Sequence, residues 1–181
     1  MANRSDYALR PVTVDDSSLL LKWRNSDSVR KYMYTDHLIG EAEHVVWLDR
    51  MLADSTSSYL IFEVKGRPVG LVNVVDVNAI DSTCSWGFYI GENDAPSGIG
   101  AIMELLALEF IFNSLLINEI YCEVFAFNRA VIKLHKKFGF KEMDIEKQVH
   151  KNDVCESVVS LKLNKDDWNS CRKRIESIVF R

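Results

Sequence analysis

The stretch from Ala95 to Gly100 constrains this chain more than any other. A β-rich run over residues 84–90 ends at Gly91 and a polar loop, and a small-residue turn containing Gly98 and Gly100 comes next. Residues 101–112, rich in Leu, Ile and Phe, then predict a long helix with the two glycines at its mouth. Glycines there let the backbone approach a ligand closely, and the first unpaired N–H groups of the helix point at it. Such a start favours an anion, phosphate above all, through its hydrogen bonds and dipole. A Gly-x-Gly before a helix also serves as a plain tight turn, so the turn alone leaves both uses open.

The segments after this helix narrow the choice. A strand is predicted over residues 119–125, and residues 128–140 predict a helix started by Asn128 as N-cap and closed by Gly139, with Phe140 opening a new strand. The order is strand, Gly-x-Gly turn, helix, strand, and an Asn-started helix ending in Gly-Phe. In this order the chain resembles the GNAT superfamily of N-acetyltransferases. Its phosphate turn reads Gln/Arg-x-x-Gly-x-Gly/Ala, and its next helix reads Asn-x-x-Ala/Ser and ends in Gly-Phe. Ala95 stands where the family usually has Gln or Arg. The resemblance implies an α/β (α+β) fold: a mixed, mostly antiparallel sheet, splayed between its fourth and fifth strands and flanked by helices. It implies acetyl-CoA as acetyl donor, with no metal. Main-chain groups of Phe88 and Ile90 would bind the pantetheine arm, and N–H groups of Ser97, Gly98, Gly100 and Ala101 the pyrophosphate. Asn128 would contact the arm near the thioester.

A chain of 181 residues, 48% of them apolar, can bury one substantial core, and one domain is the simplest organisation. Residues 1–163 are expected to form it. Residues 164–181 are expected to add an amphipathic helix with Trp168, Cys171, Ile175 and Ile178 on one face. That face must pack on the body or on a second subunit, which would make a homodimer. The net charge of −4, with no basic block to offset it, argues against nucleic acid as the main partner. Cys84, Cys122, Cys155 and Cys171 are scattered, which predicts buried thiols in a reducing cytosol. No His-Glu-x-x-His or Cys/His cluster predicts a metal site. The N-terminus lacks the apolar run of a signal peptide. The most apolar stretch, around residues 105–116, is broken by Glu109 and Asn113, with Glu104 just before it, and reads as a core helix. A cytoplasmic enzyme without a membrane span is expected.

In the N-terminal third, a short strand over residues 7–12 leads to a helix-start signature at 13–16 and a helix from Ser17 to Trp23. Residues 23–34 are dense in aromatic and guanidinium groups. They form either a packed corner with both arginines in solvent, or a pocket wall where arginine pairs with phosphate or carboxylate. Residues 41–52 predict a helix with acidic residues at its start, and Trp47 is expected to pack. Residues 59–64 and 68–77 predict a hairpin turning at 65–67, in a sheet covered on both faces. A last hairpin is predicted from the stretches ending at Val149 and running over 154–163, turning at 151–153.

Trp23 to Asn25, Val29, Arg30, Met33 and the run from Glu43 to Leu48 resemble the branch of the superfamily that acetylates amino sugars on nucleotide carriers in pseudaminic acid synthesis. The Met33-Tyr34 and Glu123-Val124 pairs match it too. The resemblance implies a UDP-4-amino-4,6-dideoxy-N-acetyl-altrosamine acceptor, with Arg24, Asn25, Arg30 and Met33 as substrate contacts; Asn73, in the strand before the splay, is a further polar candidate. The neighbouring branch, which acetylates ribosomal-protein N-termini, shares much of this texture. A CoA-binding regulatory domain is the non-catalytic reading.

An amine attacking a thioester must lose a proton, and the leaving thiolate must gain one. Direct transfer in a ternary complex therefore needs a base, an acid and a donor to the developing oxyanion. Glu123 is the base candidate, because glutamate is depleted in strands and this one alternates with Tyr121 and Phe125 on the face expected to line the splay. Partial desolvation is expected to raise its pKa. A solvent-facing edge carboxylate is the plainer alternative. For the acid, the family usually places a tyrosine seven residues beyond the helix-start Asn, and here that position is His135. Histidine donates near neutral pH. An exposed histidine among lysines is the alternative.

Overall fold

The computed structural model describes residues 3–151 and 154–180. Strand β1 (Tyr7–Pro11) sends Arg10 to the start of the first helix, where it forks onto Asp16 at 2.8 and 2.7 Å and reaches Glu63 at 2.7 Å. Asp16 also accepts the Thr13 N–H at 2.9 Å, closing the capping box that leads into α1 (Ser17–Asn25). Helices α2 (Asp27–Arg30) and α3 (Glu41–Ala53) come next. Strands β2 (Ser58–Val64) and β3 (Arg67–Asn78) are joined by Lys65 and Gly66, both with positive φ (52° and 75°). That geometry is the two-residue turn whose twist suits a hairpin.

Beyond this hairpin lie β4 (Thr83–Ile90) and α4 (Ile99–Glu109), which runs on into a π-helical turn over Phe110–Ser114. Strand β5 (Glu119–Phe125) and α5 (Arg129–Lys137) complete the segment legible from the glycine turn. The strand expected at Phe140 is only the two-residue β6 (Lys141–Glu142), and the last hairpin is β7 (Lys147–Lys151) with β8 (Val154–Asn164). Its predicted turn residues Asn152 and Asp153 lie outside the described residues. Helix α6 (Lys165–Val179) ends the chain, its first turn capped by Asn164.

The sheet runs in the order β1-β2-β3-β4-β5-β8-β6, with β7 also on β8. Neighbours are antiparallel except β4 and β5. These two are parallel and pair only at Thr83–Glu119, Cys84–Ile120 and Ser85–Tyr121 before they part. The splay between the fourth and fifth strands is therefore present. Side chains fill its closed end: Trp86 and Phe88 meet His135 of α5 with ring centroids 5.5 and 5.9 Å apart.

Both faces of the sheet are covered, as its continuous apolar runs predict. Phe62, Val72, Met103, Leu108 and Phe112 build the larger core on the α4 side, and Leu20, Trp23, Leu48, Ile61 and Leu71 the smaller one under α1 and α3. Trp23 lies flat over Gly91, where a Cβ would sit 2.2 Å from the indole, so this position has room only for glycine. Trp168 of α6 stacks with Phe112 and Phe138 at 6.1 and 6.3 Å and is buried with Ile175, so this face packs on its own domain. Ile178 is exposed, off the buried stripe. Cys84 and Cys122 are buried as expected, whereas Cys171 is half-buried and Cys155 exposed because it faces outward from the β7–β8 hairpin.

Candidate active site

Where β4 and β5 part, a cavity of about 370 Å³ opens, walled by Phe88, Ile90, Cys122, Glu123, Asn128 and His135. A second cavity, of about 400 Å³, lies under α1 and α3, with Arg24, Glu43, Trp47, Tyr59 and Asn73 on its wall. Tyr32, Met33, Gly87, Phe88, Tyr89 and Glu123 line both. The two spaces thus share one wall. Glu123 stands on it.

The Glu123 carboxylate is half-exposed and held on two sides. Lys147 Nζ donates to Oε1 and Oε2 at 2.8 and 2.6 Å, and the Tyr34 hydroxyl donates to Oε2 at 2.5 Å. Tyr34 is itself braced edge-on against Phe125, with centroids 5.3 Å apart. The expected rise in pKa is reversed. Desolvation does push the carboxyl up, but the bonds from Lys147 and Tyr34 outweigh it and hold Glu123 below the usual carboxylate range. Neither partner was visible in the sequence, since Tyr34 lies 89 residues away and Lys147 in a different hairpin.

His135 is not a surface residue among lysines. It is 3% exposed, with Nδ1 2.8 Å from Oε1 of Glu104, which is itself fully buried in α4. Burial pushes the imidazole pKa down, but the Glu104 charge, the Cys122 side chain and the hydrogen bond to Glu104 more than offset this, and the pKa rises to about 10. The sequence showed Glu104 only as an interruption of an apolar helix. A carboxylate inside such an apolar helix was the available signal.

At the glycine turn, Gly98 takes the N-cap position with φ of 83°, and α4 starts at Ile99, two residues earlier than predicted, so that Gly100 lies inside it. The Ala101 N–H donates to the Gly98 carbonyl at 3.1 Å and is therefore engaged in the turn itself. The N–H groups of Ser97, Gly98 and Gly100 have no acceptor among the described residues. A Cβ at Gly98 would meet nothing within 4 Å, so the space over the turn is open. Asn128 occupies the N-cap position of α5, but its side chain makes no capping bond, contrary to the cap expected of it. Asn128 is part of the splay cavity's wall. Val131 stands three residues after Asn128, where the family pattern has Ala or Ser.

The residues expected to contact the acceptor divide. Arg24, Met33 and Asn73 line the second cavity, and Arg24 NH2 donates to the Thr35 carbonyl and hydroxyl at 2.9 and 2.8 Å. Arg24 NH1 is buried and has no hydrogen-bond partner among the described residues. Asn25 is on neither cavity's wall; its side chain clasps the Ile39 backbone in both directions at 2.9 and 2.8 Å and fixes the loop after α2. Arg30 is likewise committed, with NH1 on the Asp36 carbonyl at 2.9 Å and NH2 on Asp27 at 2.6 Å, and it lines neither cavity. Trp47, expected to pack, is 37% exposed and forms pocket wall, stacked on His44 and edge-on to Tyr59.

Residues 7–141 match the family model described as the acetyltransferase (GNAT) domain. The chain belongs to the GNAT acetyltransferase family. It is accordingly an acetyl-CoA-dependent N-acetyltransferase. Among curated relatives, acetyltransferase PseH of Campylobacter jejuni is 26% identical over 132 residues, 73% of this chain and 81% of that protein. The spermidine N(1)-acetyltransferase of Escherichia coli is 23% identical over 140 residues, 77% of this chain and 75% of that protein. The spermidine N-acetyltransferase of Vibrio cholerae, solved in complex with CoA and spermine, superposes with a TM-score of 0.84 at 17% identity, over 91% of this chain and 99% of that one. That likeness shows the fold.

The residues of this acetyltransferase fit a CoA donor. Three unpaired N–H groups and an open space at the helix mouth suit a pyrophosphate. In the splay, the buried Trp86 Nε1 has no hydrogen-bond partner among the described residues, and the Asn128 side chain makes no capping bond to its helix. Bound there, acetyl-CoA supplies the activated acetyl group.

Proposed function

We propose that this acetyltransferase moves the acetyl group of acetyl-CoA to the amine of a nucleotide-linked amino-deoxy sugar, by direct transfer in a ternary complex. The acceptor class is UDP-4-amino-4,6-dideoxy-N-acetyl-altrosamine of pseudaminic acid synthesis, acted on in the cytoplasm. The observation that carries the reading is Arg24. Two carboxylates on the wall of the second cavity are already matched, Glu43 by His37 at 2.9 and 3.1 Å and Glu123 by Lys147 and Tyr34. The Arg24 NH1 is not matched, and burial lowers the pKa of its guanidinium, with Tyr89 and Glu43 partly restoring it. A buried donor without a partner is costly, so the cavity calls for an anionic or carbonyl acceptor on the substrate. A nucleotide sugar brings such groups beside its amine. A polyamine, the substrate named for two of the relatives, would bring a second cation toward Arg24.

In this reading Glu123, on the wall common to both cavities, accepts the amine proton directly or through one water. Met33 and Asn73 border the acceptor, and Phe88, Ile90, the glycine turn and Asn128 hold the donor. His135 returns a proton to the departing sulfur. Substituting Arg24→Gln tests the assignment. The acceptor KM should rise by roughly tenfold to a hundredfold, the range expected for a lost hydrogen bond from a charged donor. kcat and the acetyl-CoA KM should hold within about twofold, as for a ground-state contact. An unchanged acceptor KM, or equal losses for both substrates, would remove Arg24 from recognition.

A further inference from the structure

Helix α4 is apolar on nearly every side, yet Glu104 lies in its middle with no exposed surface. One oxygen meets His135 Nδ1 at 2.8 Å, and the other, Oε2, has no partner among the described residues. A buried carboxylate with an oxygen unmet is expensive unless an opposite charge stands against it. The groups packed around the pair are Trp86 and Phe88 from β4, Cys122 from β5 and Phe140 after α5. None is a cation. The imidazole is the charge that compensates Glu104; the bond at Nδ1 fixes the ring, and the Cys122 side chain is hydrogen-bonded to His135 as well. His135 is part of the splay cavity's wall, with Cys122, Glu123 and Asn128.

We propose that Glu104 is a positioning residue for acetyl transfer, anchoring His135 through Nδ1 so that Nε2–H serves the splay as proton donor to the released sulfur. The proposal rests on the acetyl-transfer function and adds the group that makes a histidine work where the family usually has tyrosine. The step balances. The amine nitrogen bonds to the thioester carbon, the C–S bond breaks, and its electron pair leaves on sulfur. Sulfur takes the Nε2 proton and becomes a thiol, while Glu123 takes the amine proton. Solvent then carries a proton from Glu123 back to His135.

The burial supplies the reason for the pairing. A histidine without a partner loses its proton above about pH 6.5, before an amine acceptor is largely free. Here that loss would leave a net negative charge in a dry core. Burial opposes charge on the ring, but Glu104 prevails and the imidazole pKa is pushed up to about 10. Burial holds the Glu104 carboxyl above its ordinary value, and the charge and hydrogen bond of His135 offset only part of that rise. The two titrate as a unit.

Nuclear magnetic resonance titration of His135 in the ligand-free protein tests the pair without any substrate. The imidazole midpoint should lie above pH 9, and a midpoint near 6.5 would overturn the proposal. In Glu104→Gln the midpoint should fall by two pH units or more, and the alkaline limb of kcat should fall with it at unchanged acetyl-CoA affinity. An unmoved limb in a folded Glu104→Gln protein would also overturn it. In a His135→Tyr background, where a phenol keeps its proton to about pH 10 without help, adding Glu104→Gln should leave the limb in place. A shift there would mean that Glu104 acts through general packing and not through His135. If His135 titrates near 10 but no amine of any class is acetylated, the acetyl-transfer reading itself falls, and the proposal with it.

Discussion

Glu123 is balanced between desolvation, which favours its proton, and two donors, which favour its charge. The donors win, so the carboxylate stays ionised below the ordinary range near pH 4.3. An ascending limb near neutrality in the rate profile then belongs to the acceptor amine and not to Glu123. Replacing Lys147 by Met removes the stronger donor, and the Glu123 pKa should rise; its limb in kcat should move to higher pH, which a profile at saturating acceptor measures. Glu123→Gln keeps the shape and removes the proton acceptor, and kcat should fall by roughly 10²–10⁴-fold with acetyl-CoA affinity little changed. Full activity in that variant would mean that the amine arrives deprotonated and that positioning does most of the work. The strand position of Glu123 was legible in residues 119–125, because a glutamate inside a β-rich run stands out. The sign of its pKa shift was not, because Tyr34 and Lys147 come from other segments with no periodic signal linking them to it.

At the scale of elements, the strand-turn-helix unit around Gly98 and Gly100 was the most legible part of the chain. Only glycine takes the left-handed N-cap at Gly98 without strain, so a side chain there costs stability as well as binding. Gly100 separates the two effects. A Cβ there would sit 3.8 Å from Leu134 and 3.9 Å from Phe88, ordinary contact distances. Gly100→Val should therefore fold, and its branched side chain at the helix mouth should weaken acetyl-CoA binding by roughly tenfold or more, about 1.4 kcal/mol. Calorimetry showing wild-type affinity in the folded variant would reduce the turn to a turn. Elements with a weaker local signature were misjudged. The strand at Phe140 shrank to β6 because only Lys141 and Glu142 reach β8, and the Asn128 cap was read from its position although its side chain makes no cap bond.

Over the whole molecule, the site arises where the parting of β4 and β5 meets the hollow under α1 and α3. The order of elements announced the first half. The hollow draws on α1, the loop after α2, α3, β2, β3, β4 and β5, which no local spacing relates, so of the five acceptor residues singled out in the sequence only Arg24, Met33 and Asn73 line it. Asn25 and Arg30 serve the corner's own folding, a role that an aromatic-arginine stretch does not distinguish from binding. Among the described residues no helix is long and apolar enough to cross a membrane. Transfer of an acetyl group to an amine carried beside an anion is the proposed reaction. It is tested most directly by thiol release from acetyl-CoA with UDP-4-amino-6-deoxy sugars, dTDP-amino sugars, spermidine and ribosomal N-terminal peptides offered side by side. Turnover is predicted with the UDP-linked amino sugar at a kcat/KM at least a hundredfold above those for spermidine and peptide. Turnover with spermidine or peptide alone, or tight CoA binding with no turnover on any of them, would contradict it.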